Sequence, residues 1–129
     1  MHELMKTAKI MPMVNQIEFH PRLVQKELLN FCNNEDIILT GWAPLMQGHG
    51  FEIPLFQEIG EKYKRCISQI LLRWAHQMGV IPVPKTVHES RLIENLEIFD
   101  FQIEEADMKR IATLNDNHRF GPDPDNFDF

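Results

Sequence analysis

The sequence predicts an α/β fold with a parallel sheet. Two patterns point to it: three short apolar runs of extended character, and helical periodicities lying between and after them. Met13 to Phe19 is extended, with Val14, Gln16 and Glu18 on one face of its alternation. Val24, Leu28 and Phe31 then line one face of a helix running to about Asn33. Ile37 to Trp42 is a short apolar run of the kind found in strands buried on both faces, as parallel strands are. Pro54 suits a first helical turn, followed by Leu55, Ile59 and Tyr63. Ile67, Ile70, Leu71, Trp74 and Met78 form an amphipathic series, and Gly79 follows where a helix ends. Val80 to Pro84 is the third strand, and its prolines place it at an edge or a barrel rim. Leu92, Leu96 and Phe99 mark another helix, and Met108, Ile111 and Leu114 mark the last. The tail from Gly121 to Asp125, with two prolines, reads as a surface loop.

Right-handed crossovers between such strands put the helices on one side, as in a (β/α) barrel. A closed eight-stranded barrel needs about 250 residues, whereas this chain has 129. The expectation is therefore one incomplete domain, residues 1–129, holding roughly the last three strands of a partial TIM barrel with their helices. Its inner face, including Val14 and part of the Ile37 to Trp42 run, would be left uncovered.

Composition narrows the function. Hydrophobic residues make up 43% of the chain, enough for a core. A net charge of −6 argues against nucleic acid or an anionic membrane as main partner. No apolar run approaches the ~18 residues of a membrane span. Cys32 and Cys66 lie in helical patterns and read as small buried thiols, with no Cys/His cluster to hold a metal. A reducing, cytoplasmic setting is the default expectation.

Candidate chemistry lies at the C-terminal ends of the strands, where binding loops of parallel sheets gather. After the third strand, Lys85, Thr86 and Arg91 surround the start of a helix, where free N–H groups and the dipole favour an anion such as phosphate. Thr86 and Glu89 also fit a capping box, and both roles can coexist. Trp42 is either a site aromatic or a rim aromatic of the core. Gln16 is either a ligand contact or a satisfied polar residue inside the barrel.

Three motifs, taken together, resemble the aldo-keto reductase family. Val14-Asn15-Gln16-Ile17-Glu18-Phe19-His20-Pro21 is similar to its V-N-Q-x-E-x-H-P strand. Trp42-Ala43-Pro44-Leu45 is similar to its aromatic-S-P-L turn. Pro84-Lys85-Thr86 with Arg91 and Asn95 is similar to its I-P-K-S-x-x-x-x-R-x-x-x-N signature. All three stand in family order, and the resemblance covers nearly the whole chain; the tail also resembles bacterial 2,5-diketogluconate and glyoxal reductases.

The resemblance implies an NADP(H) site. Gln16 would meet the nicotinamide carboxamide, Trp42 would stack on the nicotinamide ring, and Leu45 would sit in the turn touching the pyrophosphate. Lys85, Thr86 and Arg91 would grip the adenosine 2′-phosphate, and Glu94 and Asn95 would face adenine. Ala43 stands where many members have serine, which removes a hydroxyl near the pyrophosphate; Thr86 replaces serine but keeps the hydroxyl.

The family's catalytic Asp, Tyr, Lys and His lie on earlier strands, and none of their motifs is present in these 129 residues. Met1 falls just where the preceding strand of the family would end. Tyr63, the one tyrosine, is on a helix face away from the strand ends, and His20 reads as structural. His2, His49, His76, His88 and His118 read as surface or loop residues, and Gln47 to Gly50 as a mobile loop over the cofactor. No catalytic residue is therefore assigned. The expected role is the cofactor-binding part of an enzyme reducing small aldehydes or ketones, inactive alone, completed by an N-terminal half or paired as a homodimer. A nucleotide-binding or scaffold remnant working through a partner is the other reading.

Overall fold

The parallel sheet forms as expected. The structure is a computed structural model describing residues 1–127. A short helix the sequence reading did not assign, α1 (His2–Thr7), opens the chain, and His2 meets the edge of Phe31. Then follow β1 (Val14–Glu18), α2 (Lys26–Asn34) and β2 (Ile38–Trp42). A 3-10 segment, Met46–Glu52, leads into α3 (Pro54–Tyr63) and α4 (Ile67–Gln77). The chain ends with β3 (Val80–Val83), α5 (Glu89–Leu96) and α6 (Glu105–Ala112). The strands lie in the order β1-β2-β3, all parallel, with Gln16 beside Thr40 and Thr40 beside Ile81. Pro82 therefore lies on an edge strand, where a missing N–H is tolerated.

One face of the sheet makes the core. Phe19, Ile37, Leu39 and Val80 pack with Leu29 and Cys32 of α2, Phe56 and Ile59 of α3, and Ile70, Leu71 and Trp74 of α4. Phe19 stacks on Trp74 at 5.1 Å between ring centres. Pro54 starts α3, and Gly79, at φ 79°, takes the left-handed position that ends α4.

The other face differs from what the β2 run predicts. Ile38 is 51% exposed while Leu39 is 1% exposed, so β2 is buried on one face only. Val14, Ile81 and Val83 share the uncovered side and are also exposed. The physical reason is closure: three strands cannot curl round to shield the side that faces a barrel interior.

The apolar row Leu92, Leu96 and Phe99 also departs from expectation. All three are exposed, and Phe99 lies beyond α5, edge-on to His76. Ile98 and Ile103 fill the core in their place. They are held there by the polar side of α4: Arg73 donates to the Ile98 carbonyl at 3.0 Å, and Gln77 exchanges two hydrogen bonds with the Ile103 backbone at 2.8 and 2.9 Å. Gln69 donates likewise to the Glu94 carbonyl. Periodicity alone does not reveal which apolar residues such anchors select.

Of the two cysteines, Cys32 is buried and Cys66 is exposed. Cys66 is the residue just before α4, where its backbone N–H donates to Gln69 Oε1 at 3.1 Å. It sits at a helix start rather than inside a helical face, which is why the expected burial fails. α6 is fastened to α3 through Asp107, whose buried carboxylate accepts from Lys62 at 2.7 Å, Tyr63 at 2.9 Å and Arg110 at 3.2 Å. Tyr63 Oη also accepts from the Glu104 backbone, so this tyrosine is a structural tie.

Candidate functional site

The parallel strands point their C-terminal ends to one rim; Trp42 ends β2 and Lys85 follows β3, whereas Gln16 is the central residue of β1 and not part of a loop after it. Gln16 and Trp42 are on the uncovered face, Gln16 exposed and Trp42 half-buried. Both line a cavity of about 540 Å³ that wraps the free edge of β1 and is closed by Arg119, Pro122, Pro124 and Asp125 of the tail. No side-chain hydrogen bond engages the Gln16 amide among the described residues.

After Trp42 the backbone turns sharply. Ala43 has φ 52°, and Met46 and Gln47 each have φ 53°, a region L-residues seldom adopt. Strain of this kind persists only where surrounding packing imposes it, and here Met46 is completely buried. The turn makes a second cavity, of about 340 Å³, lined by Ala43, Pro44, Leu45, Gln47 and Gly48 on one side and Val83, Pro84 and Lys85 on the other. Leu45 and Lys85, from two different strand ends, thus face one space. The 3-10 segment is broken inside Gln47 to Gly50: Gln47 at φ 53° and Gly48 at φ 100° are non-helical and form a kink.

Thr86, Arg91, Glu94 and Asn95 line neither cavity. The Thr86 hydroxyl accepts from the His88 backbone N–H at 3.1 Å, and α5 begins at Glu89 with no side-chain cap. The expected capping box with Glu89 is therefore not formed: a tight turn at Thr86 to His88 uses the hydroxyl one residue too early. Arg91, Glu94 and Asn95 ride on α5, Arg91 in its first turn.

Charge pairing singles Arg91 out. Arg22, Arg65, Arg110 and Arg119 are each paired with a carboxylate, and Arg73 is bonded to Gln77 and a carbonyl. Among the described residues, Arg91 is the arginine with no such partner, although the chain carries 19 acidic residues. Lys85 is also unpaired, so both cations are available to an anion.

A buried cluster at the end of β1 was not foreseen. Glu18 and His20 are 2% and 0% exposed, and His20 Nε2 lies 3.1 Å from Glu18 Oε1. The Glu18 carboxylate also accepts from the backbone N–H of Phe120 at 2.7 Å and Gly121 at 3.3 Å. Phe120 in turn meets the rings of His20, His49 and His118. Burial pushes His20 below the ordinary imidazole range, against the opposing pull of Glu18. Its Nδ1 has no partner among the described residues, so protonation there would bury an unsatisfied donor. The sequence signal was the alternation that sets Glu18 on the same face as Gln16; its partners, about 100 residues away, leave no local trace.

The described residues contain no cluster that could hold a metal and no helix long and apolar enough to cross a membrane. Comparison with known proteins gives one consistent result. The family model described as "Aldo/keto reductase family" matches residues 1–116. The chain is 50% identical over its whole length to the uncharacterized oxidoreductase YtbE of Bacillus subtilis, covering 46% of that protein. It is 48% identical over 97% of its length to the glyoxal reductase of the same organism, covering 45% of it. It thus spans about half the length of these relatives. Among solved structures it matches MGS-M4, an aldo-keto reductase from a deep-sea metagenome library, with a TM-score of 0.94 and 34% identity over 99% of this chain and 48% of that one. A mutant of Gox0644 in complex with NADPH matches with a TM-score of 0.93 and 35% identity, at the same coverage.

Proposed function

This chain belongs to the aldo/keto reductase family, and on that premise we propose that it is the C-terminal, cofactor-binding part of an NADPH-dependent enzyme that reduces small aldehydes or ketones to alcohols. The observation that carries the reading is that Leu45 and Lys85 line one cavity at the strand ends, while Arg91, in the first turn of the helix that follows, has no carboxylate partner among the described residues. In an acidic chain whose other arginines are engaged, an unpaired arginine in the first turn of a helix suits a phosphate monoester such as the 2′-phosphate of NADP(H). Relatives of known structure hold NADPH, which agrees with that chemistry.

The residues present fit the group. The free amide of Gln16 can donate to and accept from a carboxamide, and the Trp42 ring offers an aromatic platform. The Leu45 turn and Lys85 line a space that would take phosphates; Lys85, Thr86 and Arg91 would grip the 2′-phosphate, and Glu94 and Asn95 would face adenine. When bound, the nicotinamide supplies the hydride; this chain's residues orient and hold it, and the proton donor comes from outside these 129 residues. The uncovered sheet face, with Val14, Ile38, Ile81 and Val83, is completed by the N-terminal part of such an enzyme, with pairing of two copies as the competing arrangement. Whether as one polypeptide or two, the assembly acts in the reducing cytoplasm.

The test is calorimetry of this chain with NADPH and with NADH. Tighter binding of NADPH is expected, and equal affinities would overturn the reading.

A further inference from the structure

The tail does more than cross the surface. Leaving α6, it is pinned to the loop after β1: Arg22 holds Asp116 through two nitrogens, His118 N–H donates to the Arg22 carbonyl at 3.1 Å, and Asn115 accepts from Val24 N–H at 3.0 Å. Gln25 ties the same loop to the Glu18 carbonyl at 2.7 Å. Beyond Arg119, the backbone N–H groups of Phe120 and Gly121 donate to the buried Glu18 carboxylate. At that point Gly121 abuts the outer edge of the Trp42 ring. A Cβ built on Gly121 would lie 3.1 and 3.2 Å from Cζ3 and Cζ2 of the indole, and closer still to Cη2. Gly121 is not in the left-handed region, so glycine is needed there for this close approach and not for its φ.

We infer that Glu18 and Gly121 are positioning residues for Trp42: the carboxylate fixes the 120–121 backbone in place, and the bare Cα of Gly121 leaves the space that the outer edge of the indole occupies, so that the two together set where the ring sits. The inference deepens the reading of Trp42 as a cofactor platform and rests on it only for its consequence, since the contact itself exists without any ligand. His20 orients the carboxylate from one side. Phe120 of the strap meets the rings of His20, His49 and His118, with His49 nearly parallel to it at 5.1 Å. A ring held this way keeps its orientation without the entropic loss of being ordered by its ligand, so affinity is gained through preorganisation.

The experiment compares the full chain with Gly121→Ala and Glu18→Gln, each also made in a Trp42→Phe background. Far-UV circular dichroism and urea midpoints confirm that each variant folds. The readout is the Trp42 part of the fluorescence, obtained by subtracting the Trp42→Phe spectrum, together with its quenching by acrylamide. The inference expects a red shift and easier quenching of Trp42 in both variants. It also expects NADPH affinity to fall about two- to ten-fold, the range of an aromatic contact, with Gly121→Ala costing nothing further once Trp42 is Phe or, more stringently, Ala. An unchanged Trp42 signal in folded variants overturns the inference and leaves the cofactor reading intact. A released Trp42 with unchanged NADPH affinity supports the strap and instead overturns the assignment of Trp42 as the cofactor's platform.

Discussion

The uncovered sheet face should drive this chain into association when nothing else shields it. Val14, Ile38, Ile81 and Val83 are 54%, 51%, 52% and 46% exposed on one side of the sheet. Full burial of a Val or Ile side chain is worth roughly 1.5–3 kcal/mol. Covering the half that remains exposed on four such residues is therefore worth about 3–6 kcal/mol, before the cost of bringing two bodies together. Replacing Ile38 and Ile81 with Glu removes half of that gain and sets two charges on adjacent strands. Both side chains point away from the core, so the fold should tolerate the change. Sedimentation velocity at low micromolar concentration, read beside binding of the dye ANS, provides the assay. The wild-type chain should associate or bind dye, and the double variant should shift toward monomer. A wild-type chain that sediments as a compact monomer without dye binding would show that the half-barrel is self-sufficient and that the closure argument is wrong.

Other outcomes follow from single side chains. Arg91→Ala should erase most of the preference for NADPH over NADH, a loss of about ten-fold or more if a charge-assisted hydrogen bond is removed, measured by calorimetry. Asp107→Ala should destabilise the chain by about 1–3 kcal/mol in urea unfolding. The lower part of that range is favoured because Lys62 and Arg110 are nearly half exposed and keep Glu104 and Glu58 as partners. Stability should also fall in two acid steps. His20 has a depressed folded pKa, so its contribution is complete above about 6.5 and is lost as pH drops through the folded value. Lys62, the leading cause, holds Asp107 below the usual carboxylate range, so its contribution is present above about 3.9 and is lost below that. Thermal melts of wild type and His20→Gln between pH 7 and 5 should differ in slope; parallel curves would contradict the first step.

Much of this architecture was legible because it rests on local signals. Strand and helix periods, Pro54 at a helix start and Gly79 at a helix end are each set within a few residues of chain. The placing of Trp42, Leu45 and Lys85 at the strand ends was legible because binding loops gather there, whereas Gln16, read as following the first strand, lies inside it. What stayed hidden depends on distant partners. The one-sided burial of β2 depends on which sheet face α2, α3 and α4 cover, and a single apolar run does not record that. The exposure of Leu92, Leu96 and Phe99 depends on hydrogen bonds from Arg73 and Gln77 that draw Ile98 and Ile103 inward instead. The tail read as a loop, and it is one, but its role emerges only where Phe120 and Gly121 meet Glu18 and Trp42.

The central claim is that this chain carries the cofactor half of a carbonyl reductase and that its proton donor lies elsewhere. Its most direct test is NADPH oxidation with methylglyoxal, measured for the chain alone and after mixing with the N-terminal half of the Bacillus subtilis glyoxal reductase. No turnover is expected from the chain alone, and NADPH-dependent turnover is expected from the mixture, abolished by removing the catalytic tyrosine of the added half. Turnover by the chain alone near ~1 per second, an ordinary enzyme rate, or a mixture that forms a stable complex and binds NADPH yet never oxidises it, would contradict the account.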